Sequence, residues 1–207
     1  MATKLGLYNR ALRVLGETKL SSLSEAREPR YILDDIYDDS LLECLEFGFW
    51  KFAIRTIEIT YDPDTDPNFG YTYAFNKPID WVRTFDVSSD ENFSVPLTRV
   101  LEEANVWLAD SSPIYVKYVS SDSDYGLDLS KWPAQFTMAV AHYLAMQAAP
   151  SLTQSNPRID YITKQFGYWK SQSLSNDAMN GAVGTLPVGS WLSARSTNSN
   201  KSRAAPD

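Results

Sequence analysis

The side chains that most often carry enzyme chemistry are scarce in this sequence. His142 is the only histidine and Cys44 the only cysteine among the 207 residues. Each stands in a run of apolar residues at helical spacing, which predicts a buried structural histidine and a buried thiol rather than a general base and a nucleophile. A single cysteine excludes an intramolecular disulfide, and a single histidine excludes zinc sites with several histidine ligands.

Acidic residues supply the next candidates. Asp62, Asp64 and Asp66 have the alternate spacing with which calcium-binding loops begin. An EF-hand needs glycine at the sixth position and a bidentate glutamate at the twelfth, whereas this segment has Pro67 and Tyr73 there. The pattern therefore predicts a solvated acidic turn, and the polar segment 120–126 is interpreted in the same way. No metal and no cofactor are expected.

Sequence motifs for other catalytic sites are absent. The chain contains no G-x-S-x-G, G-x-x-x-x-G-K-[ST] or G-x-G-x-x-G motif, so an elbow serine, a phosphate-binding loop and a dinucleotide fingerprint lack support. Two carboxylates about 5–10 Å apart in a cleft could serve a glycoside hydrolase, but spacing along the chain cannot establish such a pair. We therefore expect no enzymatic activity, with a glycan hydrolase as the alternative.

The spacing of the apolar residues predicts two helices near the start of the chain. Helix 1 is expected at about 4–15, with Thr3 as its N-cap and Gly16 at its end. Helix 2 carries an apolar stripe and an acidic surface. It is expected to be capped near Ser24 and to end near Gly48, or to start closer to Glu28 because Pro29 is tolerated only in a first turn.

Two further helices are predicted after a region with a different period. Residues 57–61 and 71–75 alternate apolar and polar side chains, which predicts half-buried strands, and 84–87 and 114–119 resemble them. Residues 97–108 fit either a helix or strands, and strands are favoured. Helix 3 is expected after Ser130 and before Pro150, and helix 4 begins at Asn156-Pro157, a cap followed by proline.

These elements predict an α+β fold. Residues 1–53 and 129–180 are expected to form an antiparallel bundle of about four helices, because helices distant in sequence must pack together. Residues 54–128 form a β-rich insertion that projects from one end of the bundle. Residues 181–207 form an extended C-terminal arm of mostly small polar residues.

The net charge of −7 is distributed unevenly along the chain. Residues 1–53 have a net charge of −2, residues 54–128 carry 5 basic and 14 acidic side chains for a net −9, and residues 129–207 have a net +4. Because the middle of the chain repels nucleic acid, sequence-specific DNA binding is not expected. No stretch reaches the roughly 18 apolar residues of a membrane span, and the N-terminus lacks the apolar region of a signal peptide. We therefore expect a soluble protein made in a cytoplasm, without membrane contact.

Several short motifs follow one another in a definite order. An N-x-A-L-x-x-L-G helix spans 9–16, an S-L pair at 22–23 precedes the acidic helix, and W-K-F-A at 50–53 follows it. A later passage contains a strand, a proline, an aspartate and an arginine, namely Tyr73, Pro78, Asp80 and Arg83. Residues 113–155 contain a strand, an acidic loop and an alanine-rich helix that ends in L-T-x-S, and S-W-L-x-A-R stands at 190–195.

In this order the motifs resemble the tail tubular protein A family, the head-to-tail adaptors of short-tailed bacteriophages. The resemblance covers about residues 5–196, and S-W-L-x-A-R is its most diagnostic part. Pro29 is unusual for the family, and E-E-A-N at 102–105 lacks the expected glycine turn.

The resemblance implies a structural protein of the phage neck and tail that is assembled in the host cytoplasm. Family members form a twelve-fold ring below the portal vertex, join it to the tail tube or nozzle, and let genomic double-stranded DNA pass through a channel. The implied partners are further copies of the chain, the portal protein and the tube or nozzle protein. The alternatives are a tail-associated hydrolase of cell-envelope glycan and a generic oligomeric scaffold unrelated to phage.

The C-terminal arm is the candidate site for a partner, either the portal or a neighbouring subunit. Trp191 and Leu192 are expected to be its apolar anchor, and Arg195 to pair with a carboxylate or a backbone carbonyl. Lys201 and Arg203 add weaker electrostatic attraction. The alternative is a solvated tail with Trp191 folded onto its own bundle.

Overall fold

The computed structural model describes residues 2–67, 70–153 and 155–180. This part of the chain is mixed α+β, with four helices and two small antiparallel sheets, which confirms the predicted fold class at that level. The helices are α1 (Lys4–Leu15), α2 (Glu28–Glu46), α3 (Ala134–Leu152) and α4 (Asn156–Met179). The strands are β1 (Ile54–Ile59), β2 (Tyr73–Asn76), β3 (Trp81–Ser88), β4 (Val100–Glu102), β5 (Val106–Ala109) and β6 (Ile114–Ser120).

Helix α1 has the predicted bounds because both of its ends are fixed by local chemistry. The Thr3 hydroxyl accepts a hydrogen bond from the backbone N–H of Gly6 at 3.1 Å, which satisfies one of the free donors of the first turn. Gly16 adopts φ +75°, a left-handed conformation that costs glycine little. Its N–H and that of Glu17 bond back to the last turn of the helix.

Helix α2 begins at Glu28, so the prediction of a cap near Ser24 is wrong and the alternative start is confirmed. The physical reason is Pro29, which lacks an N–H and whose ring would clash with a preceding helical turn. The Ser24 hydroxyl instead pairs with that of Ser22 at 2.9 Å. The helix ends at Glu46, two residues before the predicted Gly48.

Helix α3 continues past Pro150 to Leu152, which contradicts its predicted end. Pro150 removes the N–H that would bond one turn back, but it lies in the last turn, where only that bond is lost. The Thr153 N–H then bonds the Ala149 carbonyl at 2.9 Å and closes the helix. Helix α4 begins with Asn156 and has Pro157 in its first turn, but its N-cap is Ser155 rather than the predicted Asn156.

The strands form two three-stranded antiparallel sheets. In the first sheet β6 lies between β1 and β3, with Ile54 opposite Val119 and Ile59 opposite Ile114. In the second sheet β5 lies between β2 and β4. The ambiguous segment at 97–108 therefore forms strands, as favoured, and β4 and β5 are joined as a hairpin through 103–105.

Two apolar cores support these elements. The larger core joins all four helices, and helices α1, α2 and α4 all pack on α3. The smaller core lies between the sheets, where Phe75 and Trp107 of the second sheet meet Val116 and Tyr118 of the first. Val119 belongs to the larger core, because alternate residues of a strand face opposite sides. Strand β6 thus contributes to both cores.

An aromatic cluster lies where the helices meet the start of β1. The Phe136 ring centroid lies 4.7 Å from Trp50, 4.8 Å from Phe52 and 4.9 Å from Trp132. The Trp50 indole N–H also donates to the Cys44 carbonyl at 2.9 Å. Aromatic pairs at these distances add stability beyond the area they bury.

We expect Phe136→Ala to lower the free energy of unfolding by about 3–5 kcal/mol, because it removes a fully buried ring that touches three others. The matched control is Phe85→Ala, whose side chain is nearly half exposed and whose removal should cost about 1 kcal/mol or less. Urea unfolding followed by tryptophan fluorescence and circular dichroism measures both. Equal losses in the two variants would contradict this assignment of the core.

Candidate partner-binding surfaces

The residues predicted to bind a partner lie outside the described part of the chain. This applies to Trp191, Leu192, Arg195, Lys201 and Arg203, and to the whole arm at 181–207. Their role stays a prediction. The described residues nevertheless offer surfaces and polar clusters whose geometry bears on function.

A polar cluster, here called the Asp80 junction, is formed by Asp80, Arg55, Tyr118 and Ser120. The Asp80 carboxylate accepts hydrogen bonds from the Arg55 guanidinium at 3.0 Å, from the Tyr118 hydroxyl at 3.0 Å and from the Ser120 hydroxyl. The Ser121 N–H donates to the Asp80 carbonyl at 2.7 Å. One aspartate thus ties the segment before β3 to β1 and to the end of β6.

The protonation of the Asp80 junction follows from these contacts. Burial raises the pKa of Asp80, but the hydrogen bonds from Ser120, Arg55 and Tyr118 outweigh burial and hold it below its usual value. Burial and the bond to Asp80 raise the pKa of Tyr118, which remains a neutral donor. The junction is therefore a charged, fully hydrogen-bonded support rather than an acid poised to give up a proton.

The Asp80 junction anchors the end of an exposed loop at 77–80. Ile79 at its tip is fully exposed, which is unusual for a large apolar side chain. Beside it, the Lys77 ammonium lies 3.6 Å from the centroid of the Trp81 ring and 2.8 Å from the Glu102 carboxylate. The loop and the β4–β5 turn enclose a groove lined by Asn76, Lys77, Pro78, Ile79, Trp81, Ala104 and Asn105.

A second connection joins the sheets to the helices. The Arg83 guanidinium donates to the Glu46 carbonyl at the end of α2 at 3.3 Å and lies 4.1 Å from the centroid of the Phe49 ring. The Phe49 and Phe85 rings are 5.1 Å apart. A cation at a helix C-terminus is favourable because the last carbonyls carry partial negative charge.

The Asn9 side chain holds the segment that follows α1. Its amide donates to the Leu20 carbonyl at 3.1 Å, and its oxygen accepts from the Leu20 N–H at 2.7 Å. The Leu20 side chain is buried. The asparagine of the first sequence motif therefore orients the chain between α1 and α2.

The two residue types first considered for chemistry have the predicted structural environments. Cys44 is buried on α2, and burial raises its pKa, so the thiol is not activated. The His142 ring is buried, with Nδ1 2.8 Å from the Met138 carbonyl and the Trp169 ring 5.9 Å away. Burial lowers the pKa of His142, which keeps it neutral near pH 7.

The acidic segment 62–66 is a turn, as predicted. The Asp62 carboxylate accepts from the Asp64 N–H at 3.0 Å and from the Thr65 hydroxyl at 2.8 Å. The Asn76 amide donates to it at 2.6 Å. Asp64 and Asp66 are exposed, and no cluster of metal-ligating side chains occurs within residues 2–67, 70–153 and 155–180.

An acidic groove between α2 and α3 is where a carboxylate pair could lie. Its lining includes Asp35, Asp39 and Glu43, and its volume is about 260 Å³. Glu43 accepts a hydrogen bond from the Tyr143 hydroxyl, which also accepts one from Gln147. The lining contains no aromatic ring on which a sugar could stack, because its other residues are Ile36, Ser40 and Gln147.

A basic groove lies between α1 and α3. Arg10 and Arg13 form its rim, and its apolar floor consists of Val14, Ala134 and Met138, with His142 beside them. Its volume is about 430 Å³. The Arg10 guanidinium contacts the Met138 sulfur at 3.4 Å.

Comparison with known proteins adds no relative: neither a scan of protein-family models nor a search of curated proteins found a match. In the described part of the chain, no helix has the length and apolar character needed to cross a membrane.

Sequence reasoning found Asp80 as a motif residue but missed its partners. Arg55 and Tyr118 stand 25 and 38 positions away, and no local spacing marks them. The two grooves were missed for the same reason, because each is built from helices far apart in sequence. A charged residue at a strand end was the only local signal.

We expect Asp80→Asn to lower the free energy of unfolding at pH 7 by about 1.5–3 kcal/mol, because the charged acceptor of three donors is lost. The sign of the pH dependence follows from the lowered pKa. Asp80 stabilises the fold above its unfolded-state pKa of about 3.9, and this contribution is lost as pH falls through the folded-state value.

Urea unfolding between pH 7 and pH 2.5 tests this prediction. The wild type should lose more stability than Asp80→Asn over that range, and the two should converge at the acid end. The control Asp124→Asn changes an exposed carboxylate and should follow the wild type. An Asp80→Asn variant as stable as wild type at pH 7 would contradict the role of the junction.

Proposed function

We propose that this protein is a structural head-to-tail adaptor of a short-tailed bacteriophage virion. A ring of copies, twelve by family resemblance, joins the portal to the tail tube or nozzle and lets genomic double-stranded DNA pass. The protein acts in the phage neck and tail after assembly in the host cytoplasm, and it binds partners rather than catalysing a reaction.

In this proposal the four helices are an antiparallel bundle that docks under the portal. The β-rich part at 54–128 meets the next tail protein, and the arm at 181–207 reaches a neighbouring subunit or the portal. The net charge of −9 on residues 54–128 supports a channel or distal face that does not hold the passing duplex.

The observation that carries the proposal is the position of the motif residues. Asn9 orients the chain after α1, Gly16 ends α1, and Trp50 bonds the end of α2. Asp80 connects strands of the first sheet to one another, and Arg83 connects that sheet to the end of α2. Each of these motifs is weak evidence by itself. Their residues nevertheless make the contacts that connect the elements of this fold, and a family that shares the fold would need those contacts.

A second support is the apolar surface of the β-rich part. Five large hydrophobic side chains are exposed in its described residues: Tyr61, Ile79, Phe85, Val95 and Leu101. Exposed apolar side chains on a rigid support are typical anchors for another protein. The hydrolase alternative has less support, because the acidic groove lacks an aromatic platform for a sugar.

Electron microscopy of the purified protein mixed with its phage portal tests the proposal. Rings, or an added layer of density beneath the portal, are expected. Portal particles that remain unchanged at a large molar excess of the protein would overturn it. Release of sugars from cell-envelope glycan by the protein alone would favour the hydrolase instead.

We expect Trp191→Ala to leave the protein folded and to abolish attachment to the portal, because a tryptophan anchor carries much of such a contact. Trp191→Phe, which keeps an aromatic side chain, is the matched control and should retain part of the binding. Thermal unfolding and portal co-sedimentation measure the two properties. Lost stability, or unchanged attachment, would favour a tail folded onto its own subunit.

We expect Ile79→Ser to weaken binding of the tube or nozzle protein about tenfold or more without changing stability, because the side chain is fully exposed. Tyr161→Ser is the control, since Tyr161 is also exposed but lies on α4, in the helical part that this proposal assigns to the portal. Biolayer interferometry measures the affinities. Equal affinities for the wild type and Ile79→Ser would contradict the assignment of this loop.

A further inference from the structure

Arg10 and Arg13 lie on the exposed side of α1. In the described part of the chain neither guanidinium forms an ion pair. They flank the basic groove, whose apolar floor includes Val14 and Met138. Two unpaired cations around an apolar floor are suited to an acidic surface that also carries apolar side chains.

Such a surface exists on α2 and is here called the acidic ridge, formed by Tyr31, Asp35, Asp38, Asp39 and Leu42. All five side chains are exposed. Their spacing along the helix puts them on one face, since residues three, four and seven apart lie near one another. The three aspartates form no ion pair with any residue that the structure describes, and Tyr31 and Leu42 supply apolar surface beside them.

The basic groove and the acidic ridge lie on opposite sides of α3. Met138 lines the basic groove, and Gln147 lines the acidic groove together with Asp35 and Asp39 of the ridge. Met138 and Gln147 are nine positions apart, which is about 2.5 turns of an α-helix, so they project in opposite directions. A groove and a ridge placed in this way cannot meet within one molecule.

We propose that the acidic ridge of one copy of this chain binds in the basic groove of a second copy. The occupant is a second copy because this chain itself carries a surface with the opposite charge and matching apolar side chains. The contact joins two different surfaces, so each added copy leaves one groove and one ridge free. Closure of such a chain of contacts into a ring rests on the proposed function, whereas the pairwise contact stands on the geometry alone.

Charge reversal on either surface tests the contact, with the full-length protein studied by mass photometry and sedimentation velocity. The wild type should self-associate, and more weakly as salt is raised, because the attraction is between charges near the surface. Arg10→Glu with Arg13→Glu should weaken self-association by about 100-fold or more, and Asp35→Lys with Asp39→Lys should do the same.

Mixing the two reversed variants gives the sharpest result. The unaltered ridge of the first variant meets the unaltered groove of the second, and the reversed ridge meets the reversed groove, so both contacts regain opposite charges. Self-association should therefore return in the mixture. The control Lys19→Glu with Lys164→Glu makes the same change in net charge as the arginine variant, at exposed positions of the α1–α2 connection and α4, and should associate like the wild type.

Three results would overturn the contact: a wild type that is monomeric at every concentration and salt, variants that associate normally, or a mixture that stays monomeric. If a reversed variant fails to fold by circular dichroism, Arg10→Gln with Arg13→Gln replaces it, and association as strong as wild type then counts against the contact. Portal binding is scored separately. Self-association without portal binding would support the contact and contradict the adaptor function. Portal binding by a protein that stays monomeric would support the adaptor function and contradict the contact.

Discussion

Burial of α3 is the constraint on which the rest of the helical part depends. The sequence has no charged residue between Lys131 and Arg158, so this helix offers almost no face to water. Its alanines, Ala141, Ala145 and Ala148 among them, are fully buried and allow other helices to approach closely. Helices α1, α2 and α4 pack around it, and the larger core is the result. The basic groove lies where α1 packs on α3, and the acidic groove lies where α2 packs on α3.

The β-rich part depends on a different kind of contact, because polar side chains connect its strands and its loop. The Asp80 junction binds the loop at 77–80 to two strands, and Thr84 accepts from the Trp81 and Trp107 indoles at 3.0 Å each, which links the two sheets. The sheets are small, and their shared core is also small. The hydrogen bonds made by Asp80 and Thr84 then give this part a defined geometry that the apolar area alone would specify less well.

The parts of the fold that follow from local chemistry could be predicted from the sequence. Thr3 and Gly16 define α1, Pro29 defines the start of α2, and apolar alternation defines the strands. The end of α3 could not be predicted, because its continuation past Pro150 depends on a single closing bond from Thr153. The partners of Asp80 and the lining of the grooves come from residues far apart in sequence, so they appear only once the chain is folded. The predicted arm residues lie beyond the described part of the chain.

Asp80 directly precedes β3 and Arg83 lies on that strand, and together they define a path for mechanical force. A pull on the loop at 77–80 passes into β3, which is paired antiparallel with β6 over most of its length. Such a pull loads many hydrogen bonds in shear at once instead of peeling them one by one. Through the Arg83 contact to the Glu46 carbonyl, the load then reaches α2. Tension on the loop would therefore be carried by the first sheet and passed on to the helices.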